Sequence, residues 1–494
     1  MVALSPAVLG VDVGTTGVKV VAFGGPRPVT AVREYPLLEP APGQQVQDVD
    51  QVLAATAQAL AEVVARLEGR PVAALGLSTA MHGLLGLDAD ARPLTPLVTW
   101  ADSRSAPQAA ALRSSGEATA LHEATGTPVH PMSPLTKLAW FAEHEPGLAS
   151  RVRTWAGLKD VLVHLLTGWL ATERSSASAT GLLDRWTGTW HERALQLARV
   201  RADQLPEVLP TTAHLPLDAA LARHVGLPAG TPVVLGAGDG PLATLGAGAL
   251  APGLAGLSLG TSGAVRALVR QQPEHLDPAL FCYALTEGAW VLGGAVSTGG
   301  LVVRWASSSL VPGADDDAVL RLAAQVPAGS EGLLMLPYLL PERAPSWDPE
   351  LPGAYLGLRR CHTRAHLVRA AVEGVALQLA AVLDRLDASA PMRQVRATGG
   401  ALRAPLWREV LAATTARPFV AVAAAEGTAL GAAALALLGT GQAEDLEEAV
   451  AKLGGTEEGE TVEADPALVT VYAEARERLR TQLDRLATLA QHLS

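Results

Sequence analysis

With 494 residues, 49% hydrophobic and 18% charged, the chain is long enough for two or three domains with cores of their own and too apolar for disorder. A net charge of −11 excludes a general nucleic-acid binder, which needs a basic face, but leaves room for an anionic small molecule held by backbone dipoles. Cys282 and Cys361 are the only cysteines, with no CxxC, which predicts a reduced cytoplasmic setting and no structural zinc.

The N-terminus lacks the basic start of a signal peptide, and no stretch reads as a membrane segment, because the apolar run 418–438 is broken by Glu426, Gly427 and Gly431. Residues 8–23 read as a hairpin turning on Gly14-Thr15-Thr16-Gly17, followed by a polar strand near 32–36. Apolar residues at helical spacing predict a helix over 50–67. The buried strand 72–79 leads into Ala80-Met81-His82-Gly83, and 84–88 is expected to pair back on it. His82 thus sits at a strand end, where α/β proteins keep ligand groups; a hydrogen-bonded core histidine fits equally well.

The loop 96–105 carries Trp100, Asp102 and Arg104. An indole beside a carboxylate and a guanidinium suits a polyhydroxylated ligand, although Asp102 also fits a helix cap with an ordinary ion pair. Residues 131–141 and 157–168 read as helices, the second stopped by Gly168.

The stretch 232–263, PVVLGAGDGPLATLGAGALAPGLAGLSLGTSG, organises the chain. Its first run delivers Asp239 between two glycines at a strand end. Asp239 reads as a base there, or as the cap of a helix beginning at Pro241. Its second run turns on Gly260-Thr261-Ser262-Gly263, whose amides and hydroxyls suit phosphate oxygens. Residues 254–267 echo 8–21: Gly260 falls on Gly14, Thr261 on Thr15, and Ser258 on Asp12. Two such hairpins nearly half a chain apart predict two related domains serving one nucleotide. Only the first carries a carboxylate. Asp12 beside polyphosphate implies an intervening Mg²⁺, reached through water.

Beyond it lie a strand near 290–293, a turn Ser297-Thr298-Gly299-Gly300 whose following helix N-terminus is aimed at phosphate, and a strand with a Pro-rich loop over 333–349. A long amphipathic helix is predicted over 366–388, then strand, Gly-Gly turn and helix over 395–412, a close-packing Ala/Gly helix over 429–438, an acidic solvated loop over 457–465, and a final helix over 466–493.

Together these pieces resemble the FGGY family of sugar and polyol kinases over nearly the whole chain. Asp12-x-Gly14-Thr15-Thr16 with Lys19 is similar to the family's phosphate hairpin. Met132-x-Pro134-x-x-Lys137-Leu138-x-Trp140-Phe141 fits its first signature, and Gly353-x-Tyr355-x-Gly357-Leu358 with His366-Leu367 and Ala370-Ala371-Val372-Glu373 fits its second. Departures are Gly24, Pro341, Arg403 and Glu409, where the family usually has a carboxylate, Gly, Ser and Gln. The resemblance implies two actin-like (ribonuclease-H-like) α/β domains, divided here as 1–248 and 249–494, with ATP and sugar in a cleft between them.

It further implies Asp239 as general base and Gly14, Thr15, Thr16, Lys19, Gly260, Thr261, Ser262, Gly300, Gly399, Gly400 and Ala401 as ATP contacts. Asp12 and Asp239 fall to Mg²⁺, and Met81, His82, Gly83, Trp100, Asp102, Arg104, Lys159 and Asp239 to the substrate. The segments 80–82, 99–104 and 127–134 are closer to members acting on gluconate than to those acting on xylulose. Gluconate phosphorylated at O6 is therefore the expected reaction, with xylulose or another pentulose as the alternative and a non-catalytic actin-like binding protein as a third reading. Lys159, Arg104 and His130 are the candidate cations for the substrate carboxylate. The expected partner is a small sugar or sugar acid, with no nucleic acid and no membrane; a homodimer is compatible with the sequence.

Overall fold

The computed structural model describes residues 5–423, 426–455 and 459–493, with side chains to 483. The chain forms two compact units. The first comprises Met1–Leu250, Leu268–Leu292 and Glu426–Thr456, and the second Ala251–Ala267, Gly293–Ala425 and Glu457–Ser494. Two segments from the chain's second half thus belong to the first unit.

The first unit is built on a six-stranded sheet in the order His214–Pro216, Pro232–Gly238, Val72–Thr79, Ala7–Val13, Gly17–Phe23, Val29–Glu34. Three central strands (7–13, 72–79, 232–238) run parallel and are covered on both faces, which is why they read as continuous apolar runs. Their carboxyl ends lie side by side: Asp12 opposite Ser78, Val13 opposite Thr79, and Thr79 opposite Gly238. One face is covered by the helix Val49–Arg66, capped by the Asp48 side chain, which accepts from the Asp50 and Gln51 amides at 3.0 and 3.3 Å. The helix Gly427–Gly439 packs on the sheet so closely that a Cβ on Gly10 or Gly76 would lie 2.0 or 1.9 Å from the carbonyl oxygens of Ala429 and Ala432. Glycine is required at both places because the obstacle is backbone, which cannot rotate away.

Residues 85–87 do form a strand, but it pairs with Thr154–Ala156 and not with 72–79. Both edges of 72–79 are already taken by its parallel neighbours. The polar strand begins at Val29, directly after Pro28, and ends at Glu34.

The second unit repeats the opening motif. The hairpin Leu254–Leu259 and Gly263–Val269 is followed across the sheet by Gln394–Thr398 and Phe419–Ala421, both parallel to its first strand's direction. The acidic run expected as a loop contributes a strand, Glu460–Val462, antiparallel to Phe419–Ala421. At the edge of a sheet its glutamate remains solvated, so the acidic composition does not oppose pairing. Among the described residues one helix, Arg364–Ser389, is long and apolar enough to cross a membrane, and most of it is buried in the second unit. Expected as amphipathic, it is a core helix instead.

Candidate active site

In the first unit the site is assembled where the parallel strands end. The Ser78 hydroxyl donates to Asp12 Oδ1 at 2.8 Å, and Lys19 lies opposite Asp12 in the hairpin register. Burial pushes the Asp12 carboxyl up to about 6, and the neighbouring Asp239 charge adds to the rise. Two carboxylates, both still half-buried and not sealed off, therefore sit within each other's field.

Asp239 is the first residue of the helix Asp239–Gly246, with Gly238 as its N-cap. The helix begins two residues before Pro241, and the Asp239 carboxylate accepts from the Gly240 amide at 2.7 Å. The helix N-terminus favours its negative charge.

The first Gly-Thr turn is anchored through its carbonyls. Gly14 N–H donates to Gly17 O at 2.9 Å, Tyr35 O–H to Gly14 O at 2.7 Å, and Gln47 Nε2 to Thr15 O at 2.6 Å. Thr16 is exposed at the tip. Lys19 forms an ion pair with Glu426 at 3.3 Å. The Trp100 indole N–H donates to Thr15 Oγ1 at 2.9 Å, so the loop assigned to the sugar and the turn assigned to phosphate meet directly. A small cavity brings Thr15, Met81, Gly83 and Trp100 together.

His82 follows its strand in a left-handed backbone conformation, φ 64°, unusual outside glycine. Its Nδ1–H donates to Ala179 O at 2.8 Å, and its ring stands edge-on to Tyr283 at 5.8 Å. The signature lysine, Lys137, explains how this loop is held. Its buried ammonium donates to the carbonyls of His82, Thr99 and Met132 at 2.7, 2.7 and 2.8 Å, tying three loops to one point.

Two residues expected to meet substrate are spent elsewhere. Asp102 is 1% exposed and accepts four hydrogen bonds, from Gln45 N, Arg104 N, Arg104 Nε and Arg104 Nη2 at 2.7–3.1 Å. That fills a carboxylate's capacity, so Asp102 shapes its loop. Lys159 is also buried, with all three donors on carbonyls of Leu77, Leu235 and Ala237. Lys159 had no local sequence signal for this fate, whereas an ion pair of Asp102 was one of the readings its loop allowed. Arg104 remains partly exposed at 11% and stacks on Trp140 at 5.1 Å.

In the second unit a cavity of about 840 Å³ collects Gly260, Thr261, Gly300, Gly400 and Ala401, within the size range of cofactor pockets. Ser262 and Gly399 adjoin these residues in the chain but do not line it. The Gly300 amide is not aimed at a ligand. Gly299, Gly300 and Leu301 donate to Thr261 O, Gly260 O and Thr261 O at 2.9, 2.7 and 3.2 Å, closing the start of the helix Leu301–Ser309 onto the hairpin turn. Arg304, Arg321 and Arg403 also line the cavity. The first two carried no motif and were not anticipated.

Two units with one hairpin motif each, one bearing paired carboxylates and the other a nucleotide-sized cavity, define a phosphotransferase. The profile of the FGGY carbohydrate kinase N-terminal domain matches residues 7–246, and that of the C-terminal domain matches 255–440. The chain belongs to the FGGY family of carbohydrate kinases. It is 35% identical to a gluconokinase of Bacillus licheniformis, over 91% of this chain and 90% of the relative. It is 28% identical to a xylulose kinase of Bacillus subtilis, over 89% and 90%. The crystal structure of a gluconate kinase from Lactobacillus acidophilus superposes with a TM-score of 0.92 at 30% identity, covering 99% of this chain and all of that one.

Proposed function

We propose that this carbohydrate kinase transfers the γ-phosphoryl group of ATP to O6 of D-gluconate, giving 6-phosphogluconate. The observation that carries the chemistry is Asp239, a half-buried carboxylate on the first turn of a helix, in the field of a second carboxylate, Asp12. Asp239 accepts the proton of the attacking hydroxyl as its oxygen bonds to the γ-phosphorus and the bond to the β,γ-bridging oxygen breaks. Trp100 and Met81 bound the sugar side of the first unit, and the Gly-Thr turns and the second unit's cavity serve the nucleotide. The division into a sugar-binding half, 1–248, and a nucleotide-binding half, 249–494, belongs to the same reading.

The donor set fits Mg²⁺. Asp12 and Asp239 are hard oxygen ligands whose mutual repulsion a cation relieves. Among the described residues no cluster of three His, Cys, Asp or Glu exists, which suits an ion that keeps waters and phosphate oxygens as its other ligands. When bound, it supplies charge neutralisation at the phosphates.

Gluconate is favoured by the higher identity to gluconokinase than to the xylulose kinase of Bacillus subtilis. Of the candidate cations, Lys159 is fully engaged and His130 Nδ1 accepts from the Met132 amide at 3.1 Å, so we assign the substrate carboxylate to Arg104. A xylulose kinase is the second reading: a ligand-bound xylulose kinase from Lactobacillus acidophilus superposes equally well, with a TM-score of 0.92. Specificity constants across gluconate, xylulose, ribulose, glycerol and rhamnulose decide between them. We expect gluconate to exceed xylulose by at least about tenfold; a preference for xylulose overturns the substrate and leaves the mechanism. Asp239→Asn is expected to melt near the parent temperature and bind both ligands while kcat falls by roughly 10²–10⁴. Turnover within a few-fold of the parent would remove Asp239 as the base.

A further inference from the structure

We infer that Lys159 is a positioning residue for Asp239, holding the bulged end of the strand Pro232–Gly238 in the one shape that presents Asp239 to the reacting hydroxyl. The inference rests on Asp239 being the base. The parallel ladder pairs Val233 with Leu75 and Val234 with Gly76, then slips, resuming as Ala237 with Ser78 and Gly238 with Thr79. One extra residue has entered the strand just before Asp239, the definition of a bulge. Gly236 absorbs it at φ 70°, with its backbone so near Leu77 that an added Cβ would lie 1.8 Å from the Leu77 carbonyl oxygen.

A bulge interrupts ladder hydrogen bonds, and a buried carbonyl left alone is costly. Here the Lys159 ammonium reaches three carbonyls around the slip, donating to Leu77 O at 2.9 Å, Leu235 O at 2.7 Å and Ala237 O at 3.0 Å. Its three N–H donors match three acceptors drawn from both strands of the slipped pair. Ala237 stands two residues before Asp239, so the clamp sets the direction in which the chain leaves the sheet. Glu173 Oε1, 3.8 Å away and buried, balances the charge. The Gly238 amide is tied separately, donating to Ser175 Oγ at 3.3 Å.

A lysine is an expensive choice for filling a hole, because burial disfavours its charge and pushes it down to about 8. Glu173, Asp160, Asp12 and Asp239 act in the opposite sense, keeping the ammonium charged beside the carboxylates of the site. Lys137 does for the His82, Thr99 and Met132 loops what Lys159 does for this strand end, by the same three-carbonyl grip.

The test is a double-mutant cycle on the full-length protein with D-gluconate and Mg–ATP, using Lys159→Gln, Asp239→Asn and the double variant, each checked by thermal melting. Lys159→Gln is expected to lower kcat by about tenfold or more, with both KM values within about threefold, as a small displacement of a reacting group does. In the Asp239→Asn background the same change is expected to lower the residual rate by less than about threefold, because its route of action is already gone. Equal losses in both backgrounds, a loss confined to KM, or an unchanged kcat overturns the inference. The Asp239→Asn single variant judges the base separately. If Lys159→Gln does not fold, Lys159→Arg, which keeps charge and donors but displaces them on a longer stem, is carried through the same cycle with the same criteria.

Discussion

The two Gly-Thr hairpins read almost alike, yet they close differently and carry different charge. In the first, Val13 pairs with Val18 and Gly14 N–H reaches Gly17 O, which leaves four residues in the turn and sets Lys19 opposite Asp12. In the second, Leu259 pairs with Gly263 and Gly260 N–H reaches Ser262 O, so the turn is one residue shorter. Ser258, in the place of Asp12, faces Ala264, and Arg266 sits opposite Gly256 and donates to Ser258 Oγ at 3.1 Å. A slip of one residue exchanges the faces of a strand. The same turn chemistry therefore occurs on two different registers, and of the two matched positions only Asp12 carries a carboxylate.

The sharpest way to break this comparison is at the paired strand positions. Asp12→Asn is expected to cut turnover by roughly 10²-fold, since a metal-borne charge on phosphate is worth several kcal/mol. Ser258→Ala is expected to stay within about threefold, the range of an unexceptional substitution. Comparable losses at both positions in a steady-state assay would mean the hairpins are not specialised.

Stability should show the same asymmetry. The Asp12 carboxyl is raised from 3.8 to about 6, chiefly by burial and then by Asp239, so the folded state binds the extra proton between those values. Stability of the ligand-free protein from this group falls as pH rises through that window, and the cost is complete above it. The shift corresponds to about 3 kcal/mol as an upper bound. Asp12→Asn should therefore melt higher than the parent at about pH 8, with the gain gone at about pH 4. A gain of equal size at both pH values would show that the Asp12 charge is not its source.

The smallest effect separates the threonines. Thr15→Val and Thr261→Val are each expected to raise the KM for ATP by about tenfold, the worth of one hydrogen bond to a charged group. Thr15→Val should also raise the gluconate KM by about threefold, because it removes the hydrogen bond from the Trp100 indole to Thr15 Oγ1. Thr261→Val should leave that KM unchanged. Equal sugar KM values in the two variants would sever the link between Trp100 and the first turn.

Much of this arrangement is local in origin and was therefore legible in the chain. Gly-Thr turns between apolar runs specify hairpins, and residues at 3.6 spacing specify the helices Val49–Arg66 and Leu158–Thr167, the latter stopped by Gly168 at φ 78°. The placement of Asp239 was legible for the same reason, since the apolar run 232–238 forms a strand that ends directly before it.

What the tertiary structure alone decided is which polar groups are still available once the chain has folded. Asp102 accepts from Gln45, 57 residues earlier, and Lys159 reaches carbonyls 76 to 82 residues away. Residues 85–87 found their partner at 154–156 because the nearer strand had no open edge. Composition and periodicity report what a residue can bond, whereas burial forces each buried donor to find an acceptor wherever the fold brings one. A charged side chain that reads as a substrate contact is for that reason equally well suited to hold the backbone beneath it, and only the distances assign Asp102 and Lys159 to that task.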